Sequence, residues 1–69
     1  MKEEKTRDPD RLNDFYDRMK ELHKENYPDI RFGQLMLNFS SWLQNEKDID
    51  MFFPEENKLL QYFEEYCYR

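Results

Sequence analysis

Three prolines stand where each can begin or end a helix, and their spacing constrains the fold more than any other feature of the chain. Asp8 and Pro9 predict a helix start, because an aspartate can cap the first turn and proline suits the first helical position. Pro28 ends that helix, since the residue before a proline avoids the helical conformation. Asp29 is positioned to cap a second helix, and Pro54 begins a third. The chain has one glycine and no alternating apolar and polar segment, so β-hairpins are not expected.

The hydrophobic pattern between these prolines predicts helices over about 9–25, 30–44 and 54–67. We therefore expect an all-α, compact three-helix bundle formed by residues 8–69. A disordered tail is expected at 1–7, where every residue after the first is polar or charged. The apolar stripes that support this prediction are Leu12, Phe15, Tyr16, Met19, Leu22 and His23 in the first helix; Phe32, Leu35, Met36, Phe39, Trp42 and Leu43 in the second; and Leu59, Leu60, Phe63, Tyr66 and Cys67 in the third.

Aromatic side chains must supply most of the core of so short a chain. A domain of this size buries only about 60% of its unfolded surface. One cysteine and one histidine provide neither an internal disulfide nor a zinc site. The chain has six Phe, five Tyr and one Trp, and each such side chain can bury about 150–250 Å². Met51, Phe52 and Phe53, between the second and third helices, are expected to close one end of this core.

The charge of the chain limits the classes of partner that it is expected to bind. Sixteen acidic and eleven basic residues give a net charge of −5. No basic face is evident, so direct binding to nucleic acid is not expected, and the acidity disfavours membrane surfaces. No apolar run approaches the roughly 20 residues that span a bilayer, and the N-terminal residues do not form a signal peptide. We expect a cytoplasmic protein, since a single cysteine fits a reducing compartment.

No set of residues predicts catalysis, a metal site or a cofactor. His23 has no cysteine, aspartate or second histidine at the spacing of a metal or catalytic site. We interpret it as the edge of an apolar stripe, favoured by the negative end of the helix dipole. Cys67 lies near a helix C-terminus, which disfavours a thiolate, and is interpreted as a small core residue. Asp48 and Asp50 resemble the opening of a calcium loop, but the required glycine and glutamate are missing. We therefore do not expect an enzyme.

The second predicted helix carries apolar residues on two faces. Ile30 and Leu37 lie opposite its main stripe, among small and amide side chains. One interpretation is internal: the second helix is central, with one neighbour on each face, Arg31 pairs with an acid on the first helix, and Gly33 allows close packing. The other interpretation is an exposed partner-binding surface. That surface would consist of Ile30, Arg31, Gln34, Leu37, Asn38 and Ser41.

Three segments resemble a group of short bacterial and phage-like proteins that have no established activity. The segments are 7–12 (RDPDRL), 28–35 (PDIRFGQL) and 52–56 (FFPEE). The group shows an RDP helix start, a second helix with a GQL segment followed by asparagine, here Asn38, and an aromatic and acidic entry to the last helix. The chain departs from the group at His23, where tryptophan is common, and at Pro54, where an acidic residue is usual. The resemblance implies a compact helical domain and no activity.

The sequence thus predicts a small non-enzymatic protein that binds another protein through the second helix, as a monomer or weak homo-oligomer. An alternative is an acidic regulator that occupies the nucleic-acid-binding site of a partner, which the net charge of −5 favours. Another is a structural accessory homo-oligomer. A helix-turn-helix that binds nucleic acid directly is disfavoured by the long connection at 45–53 and the acidic start of the third helix.

Overall fold

The computed structural model describes residues 8–69 and shows three helices without strands in that part of the chain. They are α1 (Arg11–Asn26), α2 (Phe32–Lys47) and α3 (Glu56–Cys67). The prediction of an all-α three-helix bundle is confirmed. The tail predicted at 1–7 lies outside the described residues. None of the three helices has the length and apolar character needed to cross a bilayer.

Each helix begins two residues later than its prediction. Asp8 is not the N-cap of α1 as predicted, because the helix follows Asp10 and has no side-chain capping bond. Asp8 Oδ1 instead accepts a hydrogen bond of 3.0 Å from the amide of Asp10, in the turn before the helix. The turn that contains Asp10 leads directly into α1. Asp29 does not cap α2: the helix follows Arg31, whose backbone is extended and whose side chain forms no capping bond. Glu56 begins α3 and places a carboxylate in its first turn, where the helix dipole favours it.

Helix α2 extends three residues beyond its predicted end, to Lys47. Asp48 then adopts the left-handed conformation, with φ 57° and ψ 42°. Its amide donates to the Gln44 carbonyl at 3.0 Å, and the amide of Ile49 donates to the Leu43 carbonyl at 3.4 Å. A left-handed residue is a common helix stop, usually a glycine. Aspartate tolerates this conformation better than most residues, so it ends α2 without the glycine that would mark the stop in the sequence.

The core is formed by residues from all three predicted stripes. Phe39 lies at its centre, with the ring centroids of Phe63 and Tyr66 at 5.0 and 5.6 Å in edge-to-face arrangements. Such arrangements add to the stabilisation that burial itself provides. The buried residues are Leu22 from α1, Leu35, Phe39 and Leu43 from α2, and Phe63 and Tyr66 from α3. The stripes therefore predicted the core correctly, but not every stripe residue is inside it.

Helix α3 lies between α1 and α2. It contacts both, whereas no Cα atom of α1 comes within 8 Å of a Cα atom of α2. The interpretation of the second helix as the central one is therefore wrong. Ion pairs join α3 to its neighbours: Arg11–Glu56 at 3.0 Å, Arg18–Glu64 at 2.8 Å and Lys47–Glu65 at 3.0 Å. Partly exposed pairs of this kind contribute about 0.2–1 kcal/mol each, so the aromatic core is the main source of stability.

The connection between α2 and α3 does not close the core as predicted. Phe52 and Phe53 are 88% and 82% exposed, although Met51 packs against the core. The turn explains the difference. Asp50 Oδ1 accepts from the amide of Phe52 at 3.0 Å, and the Asp50 carbonyl accepts from the amide of Phe53 at 3.1 Å. These bonds turn the chain so that the two rings point into solvent.

Candidate binding groove

A groove separates α1 from α2 because α3 lies between them. Tyr16 on α1 and Phe32 on α2 face this gap, and they are 60% and 61% exposed. Two cavities of about 270 and 250 Å³ follow the gap. Both are lined by Tyr16, Met19, Phe32 and Met36, so they form one continuous groove. Tyr16 and Phe32 belong to the predicted core stripes, but the structure places them on the surface.

The floor and walls of the groove are apolar. Leu35 and Phe39, both buried in the core, reach its floor. Met19 and Met36 are half-buried on opposite walls and pack against the same core. Methionine side chains are flexible and polarizable, so they adapt to irregular apolar ligands. The groove thus combines a fixed floor with adaptable walls, as expected of a surface that accepts an apolar segment.

The rim of the groove is positively charged. Lys20 and Lys24 line the larger cavity, and among residues 8–69 no aspartate or glutamate lines it with them. Neither lysine forms an ion pair with the described residues. In the smaller cavity Glu56 is present, but Arg11 pairs with it. A cationic rim on a chain with a net charge of −5 attracts a ligand that combines apolar and anionic groups.

His23 fixes one end of the groove. It lines the larger cavity, and its Nε2 lies 2.7 Å from the carbonyl oxygen of Ile30. Since a carbonyl only accepts, Nε2–H donates this bond. The bond joins the last turn of α1 to the connection that leads into α2. His23 therefore links α1 to the connection that precedes α2, at one end of the groove.

The partner-binding residues predicted on the second helix are only partly brought together. Leu37 is 61% exposed. Gln34 Nε2 donates to Asn38 Oδ1 at 2.9 Å, and the Ser41 side chain is exposed nearby on the same side of the helix. We call these four residues the outer face of α2. The exposure of Leu37 shows that the internal interpretation is wrong for this residue.

The remaining residues of that prediction lie elsewhere or lack the proposed contacts. Ile30 precedes α2 and packs half-buried against the core. Arg31 is exposed, and within residues 8–69 it forms no ion pair. A Cβ atom placed on Gly33 would have no atom within 4 Å, so the expectation that this glycine allows close helix packing is wrong. The two contacts expected in the internal interpretation, an ion pair of Arg31 and close helix packing at Gly33, are therefore not formed.

A second concavity, of about 500 Å³, lies between the starts of α1 and α3. Its apolar residues are Phe15 and Leu60, and the ion pair between Arg11 and Glu56 forms part of its lining. The described residues that line it carry three carboxylates, on Asp14, Glu55 and Glu56, against the one guanidinium of Arg11, and they include fewer apolar side chains than the groove does. The groove between α1 and α2 is the stronger candidate.

Cys67 is half-buried at the end of α3 and packs against the core. Burial raises the pKa of its thiol, and this effect outweighs Arg69 and Arg18, which favour the thiolate. Within residues 8–69, no group of three or more His, Cys, Asp and Glu side chains could hold a metal ion. The structure thus places Cys67 with the core rather than with partners that would activate it.

We expect iodoacetamide to alkylate Cys67 more slowly than glutathione at the same mildly alkaline pH. A raised pKa leaves less thiolate, which is the reactive form, and the packing of Cys67 also restricts access. The rate is measured by mass spectrometry of the intact chain. Unfolding in urea provides the control, since it should bring the rate to that of an ordinary cysteine. A folded-state rate equal to that of glutathione contradicts the prediction.

Comparison with protein-family models, with curated proteins and with solved structures gives no match for this chain. The resemblance to short bacterial and phage-like proteins therefore stays a prediction. The functional interpretation depends on the fold and on the groove.

Proposed function

We propose that the chain is a protein-interaction module without chemistry of its own, and that the groove between α1 and α2 is its recognition surface. The observation that carries this proposal is the exposure of two large aromatic side chains, Tyr16 and Phe32, on the walls of an apolar groove. Exposed aromatic and methionine side chains are enriched where proteins bind one another. Covering these side chains with a partner removes apolar surface from water, which favours binding.

The chemistry of the groove defines the partner. An apolar segment with aromatic or aliphatic side chains fits between Met19 and Met36, and acidic residues beside it meet Lys20 and Lys24. Such a segment can be an amphipathic helix, which proteins commonly bind in grooves between two helices. We place this interaction in the cytoplasm of a bacterial cell. The single, half-buried cysteine supports a reducing compartment, and the resemblance of segments 7–12, 28–35 and 52–56 supports a bacterial source.

The outer face of α2 is a second candidate surface for the same function. Leu37 is as exposed as Phe32, and Gln34, Asn38 and Ser41 around it offer amide and hydroxyl groups. This face contains one large apolar side chain and has no concave shape. The proposal of an acidic regulator that occupies a nucleic-acid-binding site has only the net charge in its support. The groove is preferred because shape, apolar lining and charge all favour it.

Panning a random peptide library on the immobilised protein tests the proposed surface. We expect the enriched peptides to contain aromatic or aliphatic residues flanked by Asp and Glu. They should not bind the Tyr16→Ser/Phe32→Ser variant, in which both walls lose their aromatic side chains. Both residues are exposed, so their loss has little effect on folding. Circular dichroism and thermal unfolding verify this.

Leu37→Ser is the matched control, because Leu37 lies on the same helix as Phe32 and is equally exposed. Binding should survive this substitution. If Leu37→Ser abolishes binding and the double variant does not, the outer face of α2 is the recognition surface. Enrichment of basic peptides, independent of both variants, contradicts the groove and supports the acidic-regulator alternative.

A further inference from the structure

The turn at residues 50–53 presents two adjacent phenylalanines to solvent; we call it the Phe loop. Phe52 and Phe53 are the most exposed of the large apolar side chains in the described chain. Single exposed apolar residues are ordinary on protein surfaces. Two large apolar side chains at successive positions, each more than four-fifths exposed, concentrate apolar surface in one short turn, and exposed apolar surface of this kind commonly marks a contact site. The Phe loop is therefore a candidate contact site.

The Phe loop is held in its conformation by its own hydrogen bonds. Asp50 accepts from the amides of both Phe52 and Phe53, and Pro54, with its fixed φ, follows directly. A loop that is already ordered loses less conformational entropy when it binds. Met51, one residue before the rings, lines the smaller cavity of the groove. The Phe loop thus lies at one end of the groove, and its rings point away from the core of their own chain.

We propose that the groove of each molecule is occupied by the Phe loop of a second copy of the same chain. This inference rests on the proposed function of the groove and names its occupant. Phe52 and Phe53 supply the apolar groups that the methionine walls accept. Asp48 and Asp50 both precede the rings in the chain, and among the described residues neither carboxylate forms an ion pair. They match Lys20 and Lys24 on the rim of the groove in charge.

The arrangement favours a closed pair over an open chain of molecules. Each copy carries one groove and one Phe loop at the end of that groove, so a two-fold axis lets both contacts form at once. Each phenylalanine buries about 150–250 Å². Four such rings and the groove walls that cover them bury roughly 1,200–2,000 Å² in total, which is the size of a stable specific interface. An interface of this size falls in the range of specific protein pairs.

Sedimentation equilibrium of the full chain, from low micromolar to millimolar concentration, tests this pairing. We expect the wild type to reach the mass of two chains and no higher. Phe52→Ser/Phe53→Ser and Tyr16→Ser/Phe32→Ser should each weaken the pairing by roughly a hundredfold or more, because each removes two central apolar contacts. The first variant keeps an intact groove, and the second keeps an intact Phe loop. Leu37→Ser is the control and should pair like the wild type.

Mixing the two double variants provides the decisive measurement. One supplies the groove and the other the Phe loop, so the mixture should form a one-to-one complex at concentrations where each variant alone is a monomer. A mixture that stays monomeric while the wild type pairs overturns the contact between loop and groove. A wild type that is monomeric at every concentration overturns the pairing itself. In that case the proposed function still stands if the groove binds acidic aromatic peptides in the panning experiment, so the two proposals fail separately.

Discussion

Replacing Phe39 with alanine is expected to lower the free energy of unfolding by about 3–5 kcal/mol. Phe39 is fully buried, and its ring contacts those of Phe63, Tyr66 and Trp42 with centroids 5.0–6.3 Å apart. A domain of this length has a total stability of about 3–10 kcal/mol. The substitution therefore removes a large part of that stability, and much of the population unfolds at low urea concentration. Urea denaturation followed by circular dichroism measures the change.

Phe32→Ala is the matched control for this substitution. It exchanges the same residue types on the same helix, but Phe32 is exposed in the groove. At protein concentrations where the chain is monomeric, we expect a change of no more than about 0.5 kcal/mol, as at other surface positions. If Phe32→Ala costs as much as Phe39→Ala, then Phe32 is covered by other side chains in the folded protein. The groove would then lack an exposed aromatic wall on α2, and the proposed function would lose the observation that supports it.

The helices and the core could be predicted because they depend on local patterns. Periodic apolar residues placed Leu22, Phe39 and Phe63 on the inner side of their helices, and all three are buried. The prolines located the helix starts to within two residues. The end of α2 was missed because Asp48, rather than a glycine, adopts the left-handed conformation. Aspartate at that position gives no distinctive signal in the sequence.

The groove could not be predicted because it depends on which helices touch. The three stripes predict that each helix has an inner face, but they do not say which helix lies between the other two. Because α3 takes that place, Tyr16 and Phe32 stay exposed although they lie on stripes. One signal was present: the stripe of α2 is broader than one neighbouring helix can cover, and Lys20 and Lys24 stand at the edge of the α1 stripe.

The direction of the Phe52 and Phe53 side chains could not be predicted from the hydrophobic pattern for a different reason. Helical periodicity fixes side-chain directions only where the backbone is regular. In the connection between α2 and α3, the hydrogen bonds of Asp50 set the backbone instead. An aspartate followed by hydrophobic residues was compatible with both a buried and an exposed turn. The outward direction of the rings, on which the proposed pairing depends, therefore came from the structure.

Leu22→Ala is expected to destabilise the protein by about 2–5 kcal/mol, and to loosen α1 more than the other two helices. Leu22 is the one buried residue of α1, whereas α2 and α3 supply the other five. Without it, α1 is held mainly by half-buried side chains and by its partly exposed ion pairs with α3. Native-state hydrogen exchange should show faster exchange of the α1 amides than of the α2 and α3 amides.

Leu22→Ala also tests whether binding depends on the position of α1 as well as on the side chains that line the groove. Leu22 does not line the groove, but α1 forms one of its walls, so loosening α1 should also weaken peptide binding and self-pairing. Leu37→Ala exchanges the same residue types at an exposed position; it should change stability by no more than about 0.5 kcal/mol and leave both kinds of binding intact. Equal loss of protection in all three helices of Leu22→Ala would show that the bundle opens as one unit. Loss of binding would then be caused by global unfolding rather than by local loosening of α1.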